Sequence, residues 1–294
     1  MKRDLYKEVS DKIAAQIEAG LATGNAWRLP WRRIGLGGRA VNAVSGHVYR
    51  GVNTVMLWAA ADENGYSSSR WATFKQWSEK GAHVRKGEKG SQIVFFKTLD
   101  VPNRSNPAET VSIPFLRATH VFNVAQVEGF EDKAATITDK TNPIEAADAF
   151  VAKSGADIRH GSDQAYYRPS TDEIVMPFRG QFIGDADMAT QRYYSTLLHE
   201  LTHWTGHKSR LDRLNNYVGE GLAMEELIAE LGAAFLCADL GVSNEPRDDH
   251  GHYLASWLRA IKSDPRAFFK AASAAEKACD FLKACDAAPV ALAA

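Results

Sequence analysis

Residues 199–203 read His-Glu-Leu-Thr-His, inside the stretch STLLHELTHWTGHKSRL from Ser195 to Leu211. No other feature constrains the chain as much. On an α-helix, residues four apart lie one turn apart on the same face, so this spacing asks for a helix that presents both imidazoles together. The flanking Leu197, Leu198, Leu201 and Trp204 give such a helix a buried side. Asp185 or Asp187 stands where it would start, and Gly206 just past where it would end.

Two imidazoles on one helical face point to a metal. His199 and His203 can both reach one Zn²⁺ at roughly 2.0–2.1 Å, and other divalent metals are compatible with the same donors. Glu200 is angled toward a water on the metal rather than the metal itself, which makes it the candidate general base. A catalytic zinc needs a third protein ligand and an open position. The H-E-x-x-H-x-x-G-x-x-H pattern would put a third histidine at 209, which is Ser209; His207 falls two residues short and stays a weak candidate. Downstream, MEELIAELGAAF supplies Glu226 and Glu230, again four apart. In that arrangement Glu226 ligates the metal and Glu230 accepts a hydrogen bond from a ligand imidazole. Glu225 points about 100° away from Glu226 at the helical period and is the less suitable ligand. The bland alternative, two satisfied helical histidines, leaves the glutamate pair unexplained. His250 and His252 sit in a polar segment and read as solvated, and the oxyanion partner stays open among Tyr217, His207 and His252. A peptide substrate of such a site would lie against an edge strand, either AYYRP or DEIVMP.

The total formal charge of −1 conceals a division. Residues 1–130 hold 18 Lys and Arg against 11 Asp and Glu, while residues 131–294 hold 17 against 25. This asymmetry argues for two domains, the basic one facing a polyanion. The three cysteines, Cys237, Cys279 and Cys285, have no zinc-ribbon spacing and read as small apolar residues in a reducing cytoplasm. The charged, amphipathic N-terminus is unlike a secretory signal, and no apolar run approaches the ~18 residues of a membrane span.

Leu5, Val9, Ile13 and Ile17 predict an amphipathic helix over 3–19, ended by Gly20. NAVSGHVYRG reads as a small hairpin around Ser45-Gly46, and NTVMLWAAADENG and SRWATFKQWSEKG as short helices closed by Gly65 and Gly81. SQIVFFKTL and LRATHVFNVAQVEG are β-rich runs on either side of the polar, proline-containing stretch 102–107. Residues 131–143 lack large apolar side chains and form the expected linker. Beyond it come a helix (PIEAADAFVAKSG), three short strands (DIRHG, QAYYRP, DEIVMP), the His-Glu-x-x-His helix, the glutamate helix and a helical C-terminus. The fold class expected is α+β in two domains, residues 1–130 and 144–294, the second with the element order of a zincin.

Five of the seven tryptophans (Trp27, Trp31, Trp58, Trp71 and Trp77) lie within residues 1–130 among many cations. A cationic groove with aromatic faces holds single-stranded nucleic acid, about 1–3 kcal/mol per stacked base. The candidate contacts are Arg28, Trp31, Arg32 and Arg33 of WRLPWRR, then Arg39, Arg50 and Lys75, and finally Arg85, Lys86 and Lys89 of the glycine-relieved turn HVRKGEKGSQ. Trp58, Phe74 and Trp77 fit a core better than a surface. No duplex-reading helix, finger or homeodomain pattern is present.

Longer strings carry a resemblance. DLYKEVSDKIAAQIEAG, WRLPWRR, YRGVNTVMLW, WATFKQWSEKGAHVRKGEKGSQIVFFK, FNVAQVEG, YYRPSTDEIVMP, TLLHELTHWTGHKSRLDR and EELIAELGAAFL together look like the ArdC-type antirestriction proteins of conjugative plasmids, over roughly residues 3–285. The resemblance implies a single-strand DNA-binding domain, related to one in plasmid primases, fused to a zincin-like (gluzincin) metallopeptidase domain. It also implies protection of incoming plasmid DNA from host restriction. His199, His203 and an acid of EELIAE would then be the zinc ligands, with Glu200 the acid/base. An alternative consistent with the same residues is an endopeptidase brought by DNA to a host protein such as a restriction enzyme.

Overall fold

In a computed structural model the chain is described at residues 4–22, 38–103, 105–106, 109–131, 143–216, 220–243 and 251–287. The chain opens with helix α1 (Leu5–Ala22), which continues past Gly20, where its end was expected. Val9, Ile13, Ala14 and Ile17 are buried along one face, and this burial outweighs the ~1 kcal/mol that a helical glycine costs. After β1 (Val41–Asn42), helix α2 (Val52–Asn64) ends on Gly65 at φ 66°, the left-handed conformation that glycine adopts without strain.

SRWATFKQWSEKG is not one helix as its pattern suggested. It splits into strand β2 (Arg70–Ala72) and the short helix α3 (Phe74–Glu79). Thr73 makes the break: its hydroxyl accepts the Gln76 N–H at 3.2 Å, and Gln76 Oε1 accepts the Thr73 N–H at 3.0 Å. This reciprocal capping box fixes a helix start at Thr73 and releases the preceding residues to a sheet. Strands β3 (His83–Val84), β4 (Ser91–Pro102), β5 (Thr110–Asn123) and β6 (Val127–Glu128) complete this half. β4 and β5 form a long antiparallel hairpin, paired from Ser91–Val121 to Pro102–Thr110. The main sheet runs β1-β2-β5-β4, and β3 pairs with β6 beside it.

The second half begins with α4 (Pro143–Ser154) and a three-stranded sheet of β7 (Asp157–His160), β8 (Tyr166–Arg168) and β9 (Glu173–Met176). β9 lies in the centre, parallel to β7 and antiparallel to β8. Of the two runs expected to supply an edge, DEIVMP is therefore interior and AYYRP is the edge. Helices α5 (Ala186–Trp204), α6 (Glu220–Leu240), α7 (Gly251–Ser263) and α8 (Ala267–Ala287) follow.

The two halves share packed surface. Tyr6 of α1 meets Phe269 of α8 edge-on at 4.9 Å, the Ser10 hydroxyl donates to the Pro265 carbonyl at 2.7 Å, and Trp58 of α2 lies 5.9 Å from Phe235 of α6. Val9, Ile13 and Ile17 belong to the same apolar cluster as Trp257, Ile261 and Phe268. The linker expected between the halves falls almost wholly on residues 132–142, outside the described residues.

Candidate metal centre

Helix α5 starts where the acidic N-cap was expected: Asp185 Oδ1 accepts the Met188 N–H at 2.9 Å. Its C-terminal half, Tyr193 to Trp204, is buried on every side. The last carbonyls of a helix need donors, and here arginines supply them. Arg213 donates to the Thr202 carbonyl at 2.8 Å, and Arg210 to that of Trp204 at 2.6 Å, where cations also complement the helix dipole. Arg210 further bonds Asp172 and stacks over the Trp204 ring at 3.7 Å, so the turn after α5 is tied to the strand layer.

Helix α6 crosses α5 at very close range. A Cβ added at Gly232 would stand 2.5 Å from Thr202 Cγ2 and 2.7 Å from its hydroxyl. Only glycine allows this approach, and the approach brings the α6 acids onto the histidines. His199 Nε2 and His203 Nε2 are 3.1 Å apart. Glu226 Oε2 lies 3.5 Å from the first and Glu226 Oε1 3.5 Å from the second. Four donors at 2.0–2.1 Å around a tetrahedral ion are separated by about 3.4 Å. The spacing among these three groups matches that edge, and the imidazole–carboxylate donor set suits a divalent transition metal.

The far sides of both rings are backed by carboxylates. His199 Nδ1 lies 2.9 Å from Glu230 Oε1, and His203 Nδ1 lies 3.3 Å from Glu225 Oε1. Adjacent residues Glu225 and Glu226 thus straddle one imidazole, the first behind it and the second in front. The 100° offset between them excludes Glu225 from the three-residue cluster and places it on the opposite nitrogen. Glu225 is itself held by Arg213, which donates to Oε1 at 2.8 Å and Oε2 at 3.1 Å and also reaches the Thr205 hydroxyl at 2.9 Å. Sequence reasoning missed Arg213. It follows His203 by ten residues across an irregular turn, and no periodicity marks it.

Electrostatics follow the geometry. Burial alone would depress the His203 pKa, but hydrogen bonds with Glu225 and Glu226 and the charge of Glu226 outweigh it and raise the pKa to about 10. Burial pushes Glu226 up, yet its bonds with His199 and His203 dominate and hold it well below the usual carboxylate range. Glu200 is buried beside the pair on the same helix. His207 bonds Ser209 through Nδ1 at 2.8 Å and lies outside the cluster. Tyr217, His250 and the side chain of His252 fall outside the described residues.

The cations expected at DNA meet mixed fates. Arg28, Trp31, Arg32 and Arg33 lie outside the described residues. Lys75, Lys86 and Lys89 are exposed, and Arg85 bonds Glu88 at 2.6 Å and the Ala125 carbonyl at 2.8 Å. Arg39 contradicts its expectation. It is only 5% exposed, with Nη1 on Glu276 at 2.6 Å, Nη2 on Asp239 at 2.8 Å, and its guanidinium 4.6 Å from the Phe235 centroid. Arg50 is half-exposed but committed to Glu276 and Asp280. Trp58, Trp71 and Trp77 are buried, whereas Phe74, expected in the core, is 58% exposed.

Comparison with known proteins agrees with this architecture. The family described as the N-terminal domain of anti-restriction factor ArdC matches residues 3–122, and the zincin-like metallopeptidase family matches residues 145–274. The uncharacterized protein y4eC of Sinorhizobium fredii is 44% identical over 293 residues, covering 96% of this chain and 92% of that protein. A DNA primase TraC of Escherichia coli is 37% identical over 310 residues, covering 97% of this chain but only 27% of the primase. The metal-free crystal structure of antirestriction ArdC protein from R388 plasmid is 43% identical, covers 97% of this chain and 98% of that one, and superposes with a TM-score of 0.79. The Mn(II)-bound structure of the same protein gives 0.76 over 97% and 99%. With two domain families in this order and such likeness over the whole length, the chain belongs to the ArdC antirestriction family and pairs an ArdC-type N-terminal domain with a zincin-like metallopeptidase domain that implies a divalent metal.

Proposed function

We propose that this protein binds single-stranded DNA through residues 1–130 and protects incoming plasmid DNA from restriction during conjugation. In the same reading, residues 144–294 form a metal-dependent peptidase domain. The observation that carries the reading is the whole-length likeness to ArdC, joined to the surplus of seven positive charges in residues 1–130. Within residues 144–294, His199, His203 and Glu226 would hold Zn²⁺ or a similar divalent cation, Glu230 and Glu225 orient the two imidazoles, and Glu200 moves the proton. A bound cation supplies Lewis-acid polarisation and a more acidic water. Glu200, buried on the same helix as the two histidines, would take a proton from the attacking water and return it to the leaving amine. Strand β8 lies at the edge of its sheet among the described residues, the position an extended peptide would pair with.

A second reading, an endopeptidase that DNA delivers to a host restriction or DNA-associated protein, is favoured by the complete backing of both imidazoles, which a relic site would not need. Restriction protection by wild type and by Glu200→Ala, measured side by side in cells, separates the two. Unchanged protection by Glu200→Ala defeats the peptidase reading. Absence of single-strand binding at low salt defeats the first.

A further inference from the structure

The long hairpin β4–β5 has two unlike faces. Val94 and Phe96 lie on one face, where Val94 joins the main core and Phe96 meets Tyr6 of α1 at 6.2 Å and Phe269 of α8 at 6.3 Å. The alternate residues form the other face. Antiparallel register sets Ile93 opposite Thr119, Phe95 opposite Arg117, and Lys97 opposite Phe115. Phe95 is 39% exposed, Lys97 and Arg117 are exposed, and neither cation makes an ion pair among the described residues. Within the paired strands no carboxylate stands on this face; Asp100 belongs to the other face and is bonded there by Ser112, and Glu109, just past the paired residues, is bonded by Asn103. Aromatic and cation thus alternate across two strands in both directions.

This face runs into a cavity of about 360 Å³ lined by Asn42, His47, Tyr49, Gln76, Phe95 and Thr119, among others. That volume sits at the small end of the range for ligand clefts. Its floor is preorganised. Asn42 Nδ2 donates to the Tyr49 hydroxyl and to Gln76 Oε1, each at 3.1 Å. Gln76 Oε1 also accepts from Thr73, and the amide NH₂ of Gln76 makes no hydrogen bond among the described residues. The wall is Phe95, shared with the open strand face.

We infer that the Phe95–Thr119 cavity and the Lys97/Arg117 strand face form a track for single-stranded DNA. One base enters the amide-lined cavity, its neighbour stacks on Phe95, and the phosphates pass along Lys97 and Arg117. This rests on the single-strand reading above and relocates its aromatic contribution. The tryptophans of the described residues in this half are buried, so the stacking surfaces here are phenylalanines. Lys97 and Arg117, unpaired among the described residues, flank an exposed ring and complement a polyanion with free bases, and not an acidic duplex whose bases are already stacked; the acids nearest the ring, Glu276 and Asp280, are taken up by Arg50.

The test is equilibrium binding of a labelled oligothymidylate to the full-length protein across a salt series. Phe95→Ala should weaken binding by roughly five- to 150-fold, the range for losing one stacked base, while Phe95→Tyr keeps it. Lys97→Ala with Arg117→Ala should flatten the slope of log affinity against log salt by about 1.4, two cations at ~0.7 each on a single strand. Lys270→Ala, an exposed cation on α8, should change neither. If wild type binds the oligonucleotide and all these variants match it, the track lies elsewhere and this inference falls while the single-strand reading survives. Equal competition by duplex DNA would also overturn it. No binding by wild type at low salt overturns both.

Discussion

Arg39→Met tests the joint between the two halves. Arg39 comes from the basic half, and its partners Glu276 and Asp239 come from α8 and α6. Removing one member of a buried ion pair costs about 3–5 kcal/mol, because the other charge is left without compensation. Here the lower end applies. Glu276 keeps the Gly51 N–H at 2.7 Å and Arg50 at 3.2 Å, and Asp239 keeps Lys283 at 2.7 Å. Methionine fills most of the volume beside Phe235, so the loss is mainly electrostatic. About 3 kcal/mol over a 294-residue chain, at ~2.1 cal/mol/K per residue, lowers Tm by about 5 °C. Urea and thermal unfolding measure this, and Glu276→Met on the Arg39→Met background should cost less than the sum of the single changes. The same variant should keep its salt slope for single-stranded DNA. A loss under 1 kcal/mol, additive double variants, or a slope reduced by about 0.7 would refute the assignment, the last because it would mean that Arg39 binds a phosphate after all.

Arg213→Met removes the clamp on Glu225 and should weaken divalent-metal affinity about 10–100-fold, as loss of a partner behind a ligand does; titration with Zn²⁺ or Mn²⁺ reads it, and unchanged affinity would show that Glu225 orients His203 unaided. Gly232→Ala pushes α6 off Thr202, and overpacking of ~1–3 kcal/mol should appear as lower stability together with weaker metal binding, since Glu226 and Glu230 ride on the displaced helix. The raised pKa of His203 sets a pH dependence with a definite sign. In metal-free protein its stabilisation is complete below about pH 6.5, the unfolded value, and is lost as pH rises toward about 10. Metal uptake must expel that proton, so affinity should climb by up to tenfold per pH unit across the same window, and calorimetry in buffers of different ionisation enthalpy should show proton release at pH 7.

Both halves of the proposed reading converge on the β4–β5 hairpin and the α5–α6 crossing, which lie in different layers of one packed body. The shared core of α1, α7 and α8 makes the two halves rigidly dependent on each other's packing. Destabilising either surface therefore risks both functions, and binding assays on variants need a parallel measure of unfolding.

Local rules settled much of this molecule. His199 and His203 share a face because a helix repeats every 3.6 residues, and Asp185 starts one helix and Gly65 ends another through bonds confined to a few neighbours. The candidacy of Glu226 and Glu230 came from the same period. The split of SRWATFKQWSEKG at Thr73 was also local, but it needed the capping box to be weighed against a helical pattern. What the sequence could not show is which charges and rings end up inside. Arg39 and Arg85 look alike in a string, and only the arrival of Glu276 and Asp239 from 200 or more residues away buries the first. Phe74 was expected in the core with Trp77, but it opens the short helix α3 on its outer side and is 58% exposed, because where a six-residue helix packs is decided by its tertiary neighbours and not by composition. Arg213 and Glu225 joined the metal centre only when Gly232 let two helices touch, a contact set by the absence of a single methyl group.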